Sequence, residues 1–232
     1  MPKMLSGKVK NKILRPILRK DAFFGFHTDL HPHEKDTNLG ADIDEEMVEG
    51  FLKAVKPDYI QYDCKGHNGY AGYPTKIGWP SPGIKKNALE IWRRITKKHG
   101  VALIIHYSGV WDKAAVKYHP DWATINADGK PDHFATSTFG PYVNELMIPQ
   151  LKEVIKEYDL DGAWVDGECW GVKPDYSEKA LKEFKKKTGF ENVPRREGDP
   201  TGMNFLSSTA SNSENISKPG LTHCTSSNQG FR

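Results

Sequence analysis

Four times between Ala22 and Phe190 a short apolar run is followed by an amphipathic helical one. AFFGFHTDL precedes DEEMVEGFLKAV, and DYIQYDC precedes GIKKNALEIWRRITKKHG. VALIIHYS precedes, after a long loop, PYVNELMIPQLKEVIKEYDL, and GAWVDG precedes SEKALKEFKKKTGF. Acidic residues open the first helix, Gly100 stops the second, and Ser177 and Gly189 cap and stop the fourth. Ile148, Leu151, Ile155 and Tyr158 take core spacing in the third. Such alternation builds a parallel sheet with right-handed crossovers. A doubly wound sheet and a (βα)8 barrel share it, but no glycine-rich phosphate loop follows the first run. Polar residues instead crowd the C-terminal end of every run, the face on which barrels carry chemistry. The expected fold is therefore α/β of the (βα)8 TIM-barrel type, with about the first four βα units present.

Side chains in a strand alternate between faces, so parity predicts which polar residues meet. Gly25, His27 and Asp29 oppose Phe24 and Phe26, and Gln61 and Asp63 oppose Ile60 and Tyr62. Ile104 and His106 oppose Ile105 and Tyr107, while Trp164, Asp166 and Glu168 oppose Ala163 and Val165. Each strand sends its late polar residues to one side, the interior mouth of a barrel. Two long loops add aromatics: His67, Tyr70, Tyr73 and Trp79 in one, and Trp111, His119, Trp122 and His133 in the other. Aromatic faces among hydrogen-bonding groups suit sugars, which offer C–H faces and hydroxyls together. Packing of the loops onto the barrel would use the same residues.

The charge of +3 comes with lysines spread along helices, so nucleic acid is not an expected partner. No apolar run approaches the ~20 residues of a membrane span, and the N-terminus lacks a secretory pattern. Three cysteines, Cys64, Cys169 and Cys224, make no disulfide framework, which fits a cytoplasmic protein without cofactor. From about Met203 the chain turns Ser-, Asn- and Thr-rich without apolar periodicity. Residues 1–202 are thus expected to form the N-terminal portion of a barrel domain. Residues 203–232 are expected to be a disordered tail or the product of a reading-frame shift. Half a barrel leaves open sheet edges, so a homo-oligomer through those edges is expected.

The stretches KPDYIQYDCKGHNGYAGYPTKIGWPSPG and KKHGVALIIHYSGVWD resemble the second and third βα units of glycoside hydrolase family 29, the α-L-fucosidases. GAWVDGECW resembles that family's fourth strand, whose aspartate is the nucleophile. The likeness runs from about Ala22 to Phe190 and is shared by less characterised barrel families of glycoside hydrolases. It implies a retaining glycosidase, α-L-fucosidase-like, acting on O-glycosidic bonds of a carbohydrate substrate, with Asp166 as nucleophile. Glu168 is a candidate acid/base, although two residues of one strand project from the same wall, and a sugar-hydroxyl ligand is an equal reading. His27, Asp63, His67, Trp79, His106, Trp164 and Trp170 are the candidate substrate-binding residues. The chain departs from the family where Gly66 replaces the first of two adjacent histidines, Asn68 an aspartate and His106 a tyrosine. These departures make reaction class a firmer expectation than fucose. Two rivals remain: a metal-dependent hydrolase using His31 and His33 with His106 and Asp166, and an inactive sugar-binding half-barrel.

Overall fold

The computed structural model describes residues 16–166, 173–193 and 205. The first parallel strand, β1 (Gly25–Thr28), leads to helix α1 (Glu45–Val55), whose Asp44 side chain accepts the Met47 amide. Strand β2 (Tyr59–Lys65) follows, then two short strands, β3 (Tyr70–Ala71) and β4 (Trp79–Pro80). Helix α2 (Ala88–His99), capped by Asn87 and ended by left-handed Gly100, returns the chain to strand β5 (Ala102–Ser108). After β5 come α3 (Lys113–Tyr118) and the antiparallel pair β6 (Ala123–Ile125) and β7 (Pro131–Thr136). Helix α4 (Ile148–Tyr158), strand β8 (Gly162–Asp166) and helix α5 (Glu178–Thr188) complete the described elements.

β1, β2, β5 and β8 lie side by side, all parallel. Their register places His27 beside Gln61, Asp63 beside His106 and His106 beside Trp164. One face is apolar. Ile60, Tyr62, Leu103, Ile105, Tyr107 and Ala163 bury there against Leu52, Leu89, Trp92, Leu151 and Val154 from the helices. The other face carries the polar set, as the period-2 alternation requires.

Two local features bear on the site. β2 bulges between Asp63 and Lys65, so that Asp63 pairs with His106 and Lys65 already pairs with Tyr107. The extra residue changes which way the end of the strand faces. Before α4 the chain makes a π-helical turn, Val143–Met147. Pro149 has no amide hydrogen for the regular ladder, and the wider turn accommodates that loss.

The segment read as one long loop, residues 109–141, is more ordered than expected. It holds α3 and the β6–β7 hairpin, tied back by a bridge between Trp111 and Ala135. β1 is also shorter than the expected nine-residue run. Phe205 is buried against Tyr176 and Phe184, while the rest of the expected tail lies outside the described residues. No helix among the described residues is long and apolar enough to cross a membrane.

Candidate active site

The C-terminal ends of β1, β2, β5 and β8 bring His27, Asp63, His106, Trp164 and Asp166 to one face. His106 is the hub. Its Nδ1 lies 2.8 Å from Asp63 Oδ1, and its Nε2 lies 3.3 Å from Asp166 Oδ2. Both carboxylates are buried, and His106 is only 2% exposed. Burial alone would lower the imidazole, but hydrogen bonds and charge from Asp63 and then Asp166 outweigh it, and its pKa is raised above 6.5. Two acceptors on two ring nitrogens are best met by an imidazolium donating both N–H groups.

His67 approaches the same carboxylate from the loop after β2, with Nε2 at 3.7 Å from Asp166 Oδ2. Its Nδ1 lies 2.7 Å from Ser108 Oγ, and that hydroxyl donates to the Trp111 carbonyl at 2.6 Å. Ser108 has one proton, already committed, so His67 must donate Nδ1–H to it. Burial lowers the His67 pKa below 6.5, and Asp166 only partly offsets this. The neutral ring therefore turns an Nε2 lone pair toward the mouth, where it can accept a hydroxyl proton. The same assignment disqualifies Ser108 as a histidine-activated nucleophile, because its hydrogen bonds run the wrong way.

A buried ion pair stands behind this loop. Lys65 and Asp112 are both fully buried with Nζ and Oδ2 2.5 Å apart. The hydroxyls of Tyr107 and Tyr142 lie 3.2 Å from Nζ, giving its three protons three acceptors. The Tyr142 hydroxyl also reaches the Gly109 carbonyl at 2.8 Å, and the Gly109 amide donates to the Asp166 carbonyl at 2.7 Å. Lys113 and Ala114 amides donate to the carbonyls of His67 and Asn68. Gly69 closes this turn at φ 84, and a Cβ there would come within 2.0 Å of Asp112 Oδ1. The loop bearing His67 is thus fastened to the β5–α3 corner.

The remaining candidates divide. Trp164 lies 5.0 Å from the His106 ring and edge-on to His27 at 6.1 Å, inside the cluster. Burial and then the His106 charge lower the His27 pKa, favouring its neutral form. Asp63 is fully buried, with Oδ1 on His106 and Oδ2 accepting the His31 amide at 2.5 Å, so it holds other groups in place. Trp79 belongs to a separate aromatic group, stacked on Tyr118 at 4.8 Å and tilted against His119 at 5.9 Å. Glu168 and Trp170 lie outside the described residues. The His31–His33 pair does not converge: His33 Nδ1 accepts the Lys35 amide, whereas His31 sits with Asp29 and Asp63. Sequence reasoning missed Lys65, Ser108 and Asp112 as site-building residues. The one available signal was a lysine closing an apolar strand.

Fold and site together define part of an α/β sheet of the barrel type, four parallel strands with their helices and a polar cluster at the strands' C-terminal ends. The model of the family described as Alpha-L-fucosidase matches residues 51–228, and the chain belongs to that family. Among solved structures, alpha-L-fucosidase isoenzyme 2 from Paenibacillus thiaminolyticus superposes with a TM-score of 0.65 at 22% identity. That match covers 84% of this chain and 29% of the Paenibacillus enzyme, so the chain spans under a third of that relative. The alpha-L-fucosidase from Vibrio sp. strain EJY3 gives a TM-score of 0.45 at 19% identity, over 67% of this chain and 26% of that one. No curated protein sequence matches the chain significantly. The superposition on the Paenibacillus enzyme supports the partial-barrel fold reached from the four strands.

Proposed function

We propose that the chain carries the nucleophile half of a retaining α-L-fucosidase-type site, acting on an O-glycosidic bond with Asp166 as nucleophile. The observation that carries this reading is the setting of Asp166. It ends β8, is buried, and has His106 at 3.3 Å and His67 at 3.7 Å from one carboxylate oxygen. A carboxylate fixed on a rigid strand and oriented by a buried imidazole is suited to attack at the anomeric carbon. In the first step an Asp166 oxygen bonds that carbon, the glycosidic C–O bond breaks, and the leaving oxygen gains a proton from an acid. In the second, water replaces Asp166 and the configuration is retained.

His27, favoured as a neutral ring, would accept or donate a hydrogen bond with a ring hydroxyl, and neutral His67 would accept one at Nε2. His106 keeps positive charge beside the carboxylate. The proton donor belongs about 5–5.5 Å from the nucleophile and across the sugar from it. Glu168 remains the named candidate, with a sugar-hydroxyl role as its equal alternative. The barrel portion is taken, as in the sequence reading, to extend over residues 1–202, and the strand edges of β1 and β8 carry no further strand among the described residues. Phe23 and Phe24, just before β1, and Phe26 within it are exposed at 99%, 44% and 38%. A second copy, pairing its β8 with β1 in parallel, fits both edges at once.

The second reading is sugar binding without turnover, since Glu168, the named candidate acid, lies outside the described residues. Hydrolysis of 4-nitrophenyl α-L-fucopyranoside, with the anomer of the released sugar followed by NMR, separates the two. Release of α-L-fucose first supports the retaining reading. Binding of the glycoside without nitrophenol release, at high protein concentration, supports the second.

A further inference from the structure

Gly66, directly after β2, has no side chain, and the structure shows what occupies the space. A Cβ at Gly66 would come within 2.6 Å of His31 Nδ1, 2.8 Å of its Cα and 2.9 Å of its Cγ. The missing side chain is thus replaced by an imidazole from a different element, the loop after β1. Any larger residue at 66 would expel it.

His31 is held there from two sides. Its backbone takes the left-handed conformation at φ 43, which a residue with a Cβ rarely adopts, and its amide donates to Asp63 Oδ2 at 2.5 Å. Its Nε2 lies 2.6 Å from Asp29 Oδ1. The ring sits 5.2 Å from that of His67 and 5.9 Å from that of His106. These are the two histidines on Asp166, so the pair borders the same mouth. Unlike buried His106, both members reach solvent, with side-chain exposures of 36% for His31 and 65% for Asp29.

We propose that Asp29 and His31 form a hydroxyl-recognising pair at the rim of the glycoside site, admitted by the absence of a side chain at Gly66. This rests on the fucosidase-type reading of Asp166. An imidazole joined to a carboxylate offers adjacent donor and acceptor atoms, which match two neighbouring sugar hydroxyls. The pair comes from the loop after β1, at the opposite end of the strand order from β8, so it meets a part of the sugar that Asp166 does not. It gives this chain a sugar contact built from Gly66 and the β1 loop together.

The test uses the full chain with L-fucose as probe, in wild type and in His31→Ala, Asp29→Asn and Gly66→Ala. Gly66→Ala is the discriminating variant, because it leaves both polar residues in the sequence and removes only their space. Each variant is expected to weaken L-fucose binding about tenfold, the scale of one lost charge-assisted hydrogen bond. Wild-type affinity in both His31→Ala and Gly66→Ala would overturn the proposal.

A sugar-independent arm separates this from failure of the parent reading. Burial and, less strongly, the charge of His31 lower the His67 pKa, so NMR titration should show His67 moving upward in both His31→Ala and Gly66→Ala. An unmoved His67 in Gly66→Ala would show that His31 was never displaced and overturn the steric argument, whatever sugar binds. Wild type that binds no L-fucose would instead remove the parent reading and the sugar role together. Ligand atoms of Asp29, His31 and Asp63 lie within 4.8 Å of one another. Stoichiometric Zn²⁺ binding lost in His31→Ala would therefore assign the cluster to a cation and overturn the sugar contact.

Discussion

Nε2 of His106 lies 3.3 Å from Oδ2 of Asp166, so the proposed nucleophile is oriented by a ring that is itself buried and tied to Asp63. The arrangement predicts that His106 acts on the carboxylate rather than on the sugar. Replacing His106 with Gln should lower kcat by about a hundredfold, as loss of a preorganised donor does, while KM changes little. Asp63→Asn should produce a smaller loss in the same parameter, because the ring keeps Asp166 but loses its second carboxylate. Steady-state kinetics on 4-nitrophenyl α-L-fucopyranoside checks both.

The same histidine gives stability a definite pH dependence. A pKa raised in the fold above 6.5 means that His106 contributes its full stabilisation below 6.5 and loses it as pH rises through the raised value. The difference in Tm between wild type and His106→Gln should therefore be greatest near about pH 6 and shrink toward about pH 9. Thermal unfolding across that range measures it. A difference that grows with pH would reverse the assigned charge.

His67 should behave in the opposite sense. Its pKa is lowered by burial, so it titrates below 6.5 and its neutral form carries the proton on Nδ1, facing Ser108. Long-range ¹H–¹⁵N spectra at neutral pH should show that tautomer. Ser108→Ala should retain hydrolysis at a cost of no more than about tenfold, since only an orienting hydrogen bond is lost. Abolition of turnover in Ser108→Ala would instead make Ser108 part of the chemistry.

The Lys65–Asp112 pair predicts a stability effect away from the mouth. Lys65→Met leaves Asp112 buried without its partner and should cost about 3–5 kcal/mol in urea unfolding. Lys65→Met combined with Asp112→Asn removes both charges and should recover a large part of that loss. Equal destabilisation in the single and double variants would show that the tyrosine hydrogen bonds, not the charges, hold this corner.

Parity along four strands was enough to bring His27, Asp63, His106, Trp164 and Asp166 to one face, because strand geometry leaves a side chain only two directions. Helix ends at Asp44, Gly100, Ser177 and Gly189 were equally legible, since caps and stops act within one turn. What escaped depends on contacts distant in sequence. Lys65 has no role legible in the sequence, because the bulge after Asp63 and the contacts with Tyr107 and Tyr142 exist only in the fold. His31 reads as half of a His-x-His metal motif until its ring is found over Gly66, 35 positions away, an approach that only the folded β1–β2 pairing creates. The stacking of Trp79 on Tyr118 was not legible either, because Tyr118 comes from a helix read as loop.

A second copy across the open edges of β1 and β8 predicts concentration-dependent self-association. Sedimentation velocity should show a dimer that dissociates on dilution, and Phe23→Asp with Phe26→Asp should shift it to monomer. A monomer at all concentrations would remove the pairing.

The most direct test of the account is chemical rescue at residue 166. Asp166→Ala should lose nearly all hydrolysis of 4-nitrophenyl α-L-fucopyranoside and regain part of it in sodium azide, with β-L-fucosyl azide as product. Azide enters the space of the missing carboxylate and attacks the face that Asp166 attacked. Full activity in Asp166→Ala without azide would contradict the assignment of Asp166 as nucleophile.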